Sequence, residues 1–168
     1  MNPLEVIGLL VIALLGLGWR LTWLATRVDR AHHRVERAWA ALDAALVRRA
    51  QRVGELAGRD DLDPSTALLL SDSAAAVLEP DLDLDQRESA ESDLSHVIET
   101  VGLGGHPALV AEQDRASLGR RLHNDAVATV RALRSRPTVR VFRLAGRAPV
   151  PRAFEMADPR ELSWPRDR

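Results

Sequence analysis

The sequence predicts an all-α protein: a single N-terminal transmembrane helix continuous with a long antiparallel four-helix bundle. Three observations predict it. The chain opens on an uninterrupted apolar run, Val6–Trp19 (VIGLLVIALLGLGW). A stripe of apolar positions continues from it through Thr26–Leu56, with no Pro or Gly between Leu21 and Val53. The remaining helical patterns are separated by Pro and Gly, and a composition rich in Ala and Leu, with 2 Phe and no Tyr, favours helices over strands.

A chain of 168 residues has room for one domain and a tail. The boundaries read as an anchor over 1–25, an antiparallel helical bundle over 26–145, and a Pro-rich, largely irregular C-terminal tail over 146–168. The net charge of −1 gives no bulk push toward nucleic acid. Its distribution is uneven. Between Asp60 and Thr100 there are 12 acids against one Arg; between Ala108 and Arg152 there are 10 Arg against 3 acids. No Cys occurs, which excludes disulfides, thiolate metal sites, a Cys nucleophile and a lipidated Cys.

Leu4 to Leu24 is about 21 residues, or roughly 31 Å of helix, close to the thickness of a bilayer core. Trp19 and Trp23 stand where interface aromatics belong, and Arg20 lies near enough to that end to reach the headgroups. A cleaved signal peptide needs a basic leader and a small-residue cleavage site; MNPLE has no Lys or Arg, and no A-x-A follows. Gly8, Gly16 and Gly18 form no GxxxG, so they give no specific sign of dimerisation through the span. Arg20, Arg27, Arg30, Arg34 and Arg37 all follow the run and none precedes it. The expected topology is therefore single-pass in the cell (inner) membrane, N-terminus outside and C-terminal domain cytoplasmic.

In Thr26–Leu56, Leu24, Val28, Ala31, Val35, Ala38, Leu42 and Ala45 alternate at spacings of four and three, the pattern of a coiled coil or of a helix packed lengthwise on others. The stripe then shifts by one position to Leu46, Ala50, Val53 and Ala57, as a straight helix drifts against a seven-residue repeat. His32 and His33 point about 100° apart and cannot chelate one metal together. Trp39, beside the stripe, reads as core.

V-E-x-A-W-x-x-L-D-x-x-L-x-R-R, formed by Val35, Glu36, Ala38, Trp39, Leu42, Asp43, Leu46, Arg48 and Arg49, resembles the signature of the LemA family. These are small bacterial proteins with an N-terminal membrane helix and an antiparallel helical domain. Family members commonly continue with Pro-Asn-Leu after the Arg pair. Here the chain reads AQRVGELAG, closer to Arg- and Ala-rich actinobacterial versions.

Over 59–106 an acidic helical hairpin is expected. Asp63 caps a helix with Pro64 at its first position, Leu68, Leu69, Leu70, Ala74, Ala75, Val77 and Leu78 give it a broad apolar face, and Pro80 ends it. A second helix runs from about Leu84 to Val101 with Ala90, Leu94, Val97, Ile98 and Val101 inward. Asp81, Asp83 and Asp85 resemble the start of a calcium loop, but Gln86 and Ser92 occupy its Gly and Glu positions. The acids are read instead as favouring a helix start. Ser89, Ser92, Ser95 and His96 lack the orienting group and oxyanion donors of a hydrolytic site.

Pro107 starts a return helix lasting to about Ser135, lined by Leu109, Ala116, His123, Ala126, Val130 and Leu133. R-x-L-H-N-D-A-V, at Arg120–Val127, is similar to the family's second signature, with His123 where an aromatic is usual. Asn124 is expected to bridge to a neighbouring helix. After Pro137 the chain mixes Arg140, Arg143, Arg147 and Arg152 with Val139, Val141, Phe142, Leu144 and Phe154. The return topology puts this segment at the cytoplasmic leaflet, with Arg20, Arg27, Arg140, Arg143 and Arg147 as candidates for the membrane surface. A second reading, compatible with the first, is that Val139, Phe142 and Leu144 cap the bundle core. P-x-x-F-E, Pro151 to Glu155 with Phe154 as its aromatic, resembles the family's C-terminal Pro-aromatic-Glu ending.

The functional expectation is a non-enzymatic, LemA-like scaffold or interaction module at the cytoplasmic face of the membrane. Its partners would be membrane lipids and another protein, without nucleic acid, cofactor or metal. A structural homo-oligomer organising the membrane or envelope and an unrecognised enzyme are the alternatives. The residues carrying the resemblance are Glu36, Trp39, Asp43, Arg48, Arg49, Asn124, Phe154 and Glu155.

Overall fold

The computed structural model describes residues 2–142, 144–146 and 149–157. It is all-helical, with no strand among the described residues. Among the described residues five helices follow in order: α1 (Pro3–Ala57), α2 (Pro64–Leu78), α3 (Leu84–Thr100), α4 (Pro107–Arg134) and α5 (Pro137–Val141).

Helix α1 is 55 residues long, about 80 Å at 1.5 Å per residue. Its start is long and apolar enough to cross a membrane, and none of that apolar stretch is buried. From Leu24 onward one face turns inward. Leu24, Val28, Val35, Leu42, Ala45, Leu46, Ala50, Val53, Leu56 and Ala57 are buried, while Ala31 and Ala38 are half-buried. Between Leu42 and Ala57 the buried face takes in adjacent positions such as Ala45 and Leu46, which makes it wider than the two-position seam of a coiled coil.

The chain divides into two compact units. One comprises the described residues of 1–36 and 125–152, the other those of 37–124 and 153–157. In the first, Leu24 and Val28 of α1 form an apolar cluster with Val139 of α5, against which Leu144 and Ala145 pack. Arg131 and Arg134 of α4 donate to the carbonyls of Pro151 (3.0 Å) and Pro149 (3.2 Å).

In the second unit all of α1 to α4 contribute to one core. Ala50, Val53, Leu56 and Ala57 of α1 meet Leu70, Ala74 and Val77 of α2, Leu94 and Ile98 of α3, and Leu109 of α4. The helix ends follow their sequence signals. Asp63 accepts from the Ser65 and Thr66 amides at 3.0 Å each, ahead of Pro64. The Thr66 side chain first, and then the Thr66 and Ser65 amides, hold its carboxyl below the usual carboxylate range. Asp83 and Gln86 close a reciprocal capping box on α3, with bonds of 2.8 and 2.9 Å. Gly102 adopts φ 74° just past α3, where a side chain would be strained.

Two expectations need correction. The inward face of α2 is narrower than its composition suggests. Leu70, Ala74 and Val77 are buried, but Leu68 (72% exposed), Leu69 and Leu78 face out, because three consecutive residues on a helix span about 200°. Of the residues expected as a cap beyond Pro137, Val139 is buried whereas Phe142 is exposed.

Candidate functional site

The residues singled out by sequence separate into two clusters of the second unit, an outward-facing set, and a set around Leu24. The first cluster is a charge network between α1 and α3. Arg49 is 1% exposed and Glu91 0%. Arg49 donates through Nη2 to the Glu91 carboxylate at 2.6 Å and to the Glu91 carbonyl at 3.0 Å, and through Nη1 to Ser95 Oγ at 3.1 Å. The other Glu91 oxygen takes Arg87 Nε at 3.4 Å, and Arg87 Nη2 reaches Asp43 Oδ1 at 3.1 Å. Two arginines and two carboxylates thus balance, dry at Arg49 and Glu91 and open to solvent at Asp43, and such pairing is the condition under which buried charge is tolerated. Arg49 and Asp43 were marked in the sequence. Glu91 and Arg87 were not, although Glu91 sits in the apolar stripe of α3 with Leu94, Ser95 and Ile98, all buried.

The second cluster seats the C-terminal segment. Phe154 is fully buried among Leu42, Leu46, Ala116 and Met156, with Trp39 and Leu84 packed against them. Trp39 meets the Phe154 ring edge-on at 5.6 Å and the His123 ring at 5.4 Å. Asn124 pairs with the Phe154 backbone in both directions: Nδ2 donates to its carbonyl at 3.0 Å, and Oδ1 accepts from its amide at 2.8 Å. The expected bridge from Asn124 therefore goes to an extended chain and not to a helix. Glu88 accepts from the Glu155 amide at 2.9 Å, and Ser92 from the Ala157 amide at 3.1 Å. Phe154 and Met156 point in while Glu155 is exposed, the alternation of an extended strap. Nearby, α4 comes close to α1: a Cβ on Gly119 would lie 3.2 Å from Leu42 Cα.

The outward set consists of Glu36, held by His33 at 2.9 Å, and Arg48, 52% exposed and 3.8 Å from Glu112. Around Leu24, Arg20 and Arg140 are exposed, and the Arg27 guanidinium stacks over Trp23 at 5.5 Å. Arg143 and Arg147 lie outside the described residues, as does the tail from residue 158. His32 turns to the Val28 carbonyl at 2.9 Å and His33 to Glu36, so the adjacent histidines part as their spacing requires. Among the described residues no group of three or more His, Asp and Glu side chains converges as a metal site, the Asp81–Asp85 run included.

Chemically, both clusters join chain segments: one through buried charge, the other by capturing an extended backbone on side-chain amide, carboxylate and hydroxyl groups. Comparison with protein-family models, curated proteins and solved structures finds no match.

Proposed function

We propose that the chain is a divergent LemA-like membrane protein: a non-enzymatic scaffold or interaction module whose helices α1 to α4 form an antiparallel four-helix bundle. In this reading residues 1–25 cross the cell (inner) membrane once, the N-terminus lies outside, and the helical domain faces the cytoplasm. The observation that carries it is the change along α1. Leu9, Leu14 and Leu15 are each 59% exposed or more, whereas Leu42 and Leu46 on the same helix are fully buried. An apolar surface on all sides suits lipid, and a single stripe suits protein. The Arg residues after the span, with none before it, support the orientation. The two clusters support the family resemblance in another way. They give Trp39, Asp43, Arg49, Asn124 and Phe154 joint structural tasks, which leaves the exposed surface for a protein partner.

The test is alkaline extraction of native membranes combined with a reporter fused after Arg168. The expected result is retention in the pellet and a reporter active only on the cytoplasmic side. Release by alkali, or a reporter reachable only from outside, overturns the reading. Cross-linking in membranes separates a heterologous partner from a homo-oligomer.

A further inference from the structure

Helix α5 is short, but its placement is informative. Val139, 2% exposed, clusters with Leu24 and Val28 of α1. That seats α5 within about one turn of Trp23, which precedes Leu24 in the chain. Trp19 and Trp23 are 80% and 55% exposed. On α5 and just after it, Val141 and Phe142 are 74% and 46% exposed, and Arg136 and Arg140 are exposed beside them. The first unit therefore gathers four bulky apolar side chains and several arginines where the apolar stretch of α1 gives way to its striped part.

Bulky apolar groups interleaved with arginines suit the boundary between acyl chains and phosphates, and a protein–water surface suits them poorly. We propose that α5 is a second membrane contact: Val141 and Phe142 enter the bilayer interface beside Trp19 and Trp23, with Arg136 and Arg140 on lipid phosphates. This rests on reading residues 4–24 as a span. It adds a contact, more than 100 residues away in sequence, that ties the return of the chain to the same bilayer surface. A bilayer is favoured over a protein as the occupant because Val139, two and three positions before the exposed pair, packs on Leu24 and Val28, and Leu24 directly follows Trp23 at the end of the apolar stretch of α1.

The absence of Cys allows single labels without a background. Full-length Phe142→Cys, Ile12→Cys and Gln51→Cys chains are spin-labelled in nanodiscs of phosphatidylcholine and phosphatidylglycerol. Collisions with oxygen, which partitions into lipid, are compared with collisions with a water-soluble nickel chelate. The expected oxygen-to-nickel ratio at 142 is severalfold above that at 51 and approaches that at 12. Val141→Cys repeats the measurement should the Phe142 variant fold poorly. A ratio at 142 equal to that at 51, with label 12 in lipid, overturns the proposal and leaves the span intact. Shielding of 142 from both reagents overturns it in favour of a protein contact. An aqueous label 12 overturns the span reading, and this inference with it.

Discussion

Two stretches of one helix, 4–19 and 42–57, have the same backbone and opposite surroundings. From Leu4 to Trp19 every bulky apolar side chain is exposed, while Leu42, Leu46, Val53 and Leu56 are at most 5% exposed. Apolar content does not separate the two; its distribution around the axis does. The first stretch is apolar on all sides, and among the described residues none packs against it. The second confines its apolar residues to one face, with Arg48, Gln51 and Arg52 outside, and that face is covered by α2, α3, α4 and the strap. In the proposed reading lipid is the missing partner of the first stretch.

Breaking the second stretch tests how that covering works. The largest effect is expected at Arg49. Arg49→Ala leaves Glu91 charged and buried without its closest partner, at a cost of about 3–5 kcal/mol. The double variant Arg49→Met/Glu91→Leu removes both charges and is expected to recover most of that loss. Chemical denaturation of the three chains measures it. A double variant no better than Arg49→Ala would show that the network does more than neutralise charge.

The strap comes next. Phe154→Ala empties a fully buried site and should cost about 3–5 kcal/mol. Asn124→Ala leaves the Phe154 amide and carbonyl unpaired, at about 1–3 kcal/mol. Both variants are expected to raise amide exchange at Glu155 and Ala157 before α2 or α3 is affected. Equal loosening of α2 would mean that the strap belongs to the whole core and not to a local groove.

Gly119→Ala should cost about 1–3 kcal/mol, although Ala is the better helix former. The reason is that the added Cβ meets the backbone of Leu42, which has little freedom to move. A stabilised variant in thermal unfolding would show that α4 can slide on α1.

The smallest effect is at Asp63, whose carboxyl is held low chiefly by its bonds to Thr66. Because the folded value lies below the unfolded one, the cap contributes fully above the ordinary carboxylate value of about 3.9 and is lost as pH falls through the lower folded value. Exchange of the Ser65 and Thr66 amides should accelerate over that window, and Asp63→Asn should remove most of this pH dependence.

These sites differ in how far the sequence discloses them. The stripe of α1, the caps at Asp63 and Asp83, and the starts at Pro64 and Pro107 are local signals, and the structure follows them. Glu91 was missed because a carboxylate in an apolar stripe reads as an interruption until its cation is known, and Arg49 lies 42 positions away. Phe154 stands out by resemblance and as one of the apolar residues among the Arg residues after Pro137, but neither signal discloses its burial against Leu42 and Leu46, since an extended strap has too few residues to show a period. The apolar residues of α2 overstate the width of its buried face because Leu68, Leu69 and Leu70 are adjacent and only one can point straight inward. What the sequence lacks in each case is the identity of the opposing surface.

The most direct test of the contrast along α1 places one charge in each stretch and asks which property fails. In Leu14→Asp and Leu46→Asp chains, retention in alkali-washed membranes is measured beside the thermal midpoint of the helical domain. Leu14→Asp is expected to lower membrane retention and leave the midpoint unchanged, and Leu46→Asp to do the reverse. If both variants lost the same property, the two stretches would have a common partner and the account would be contradicted.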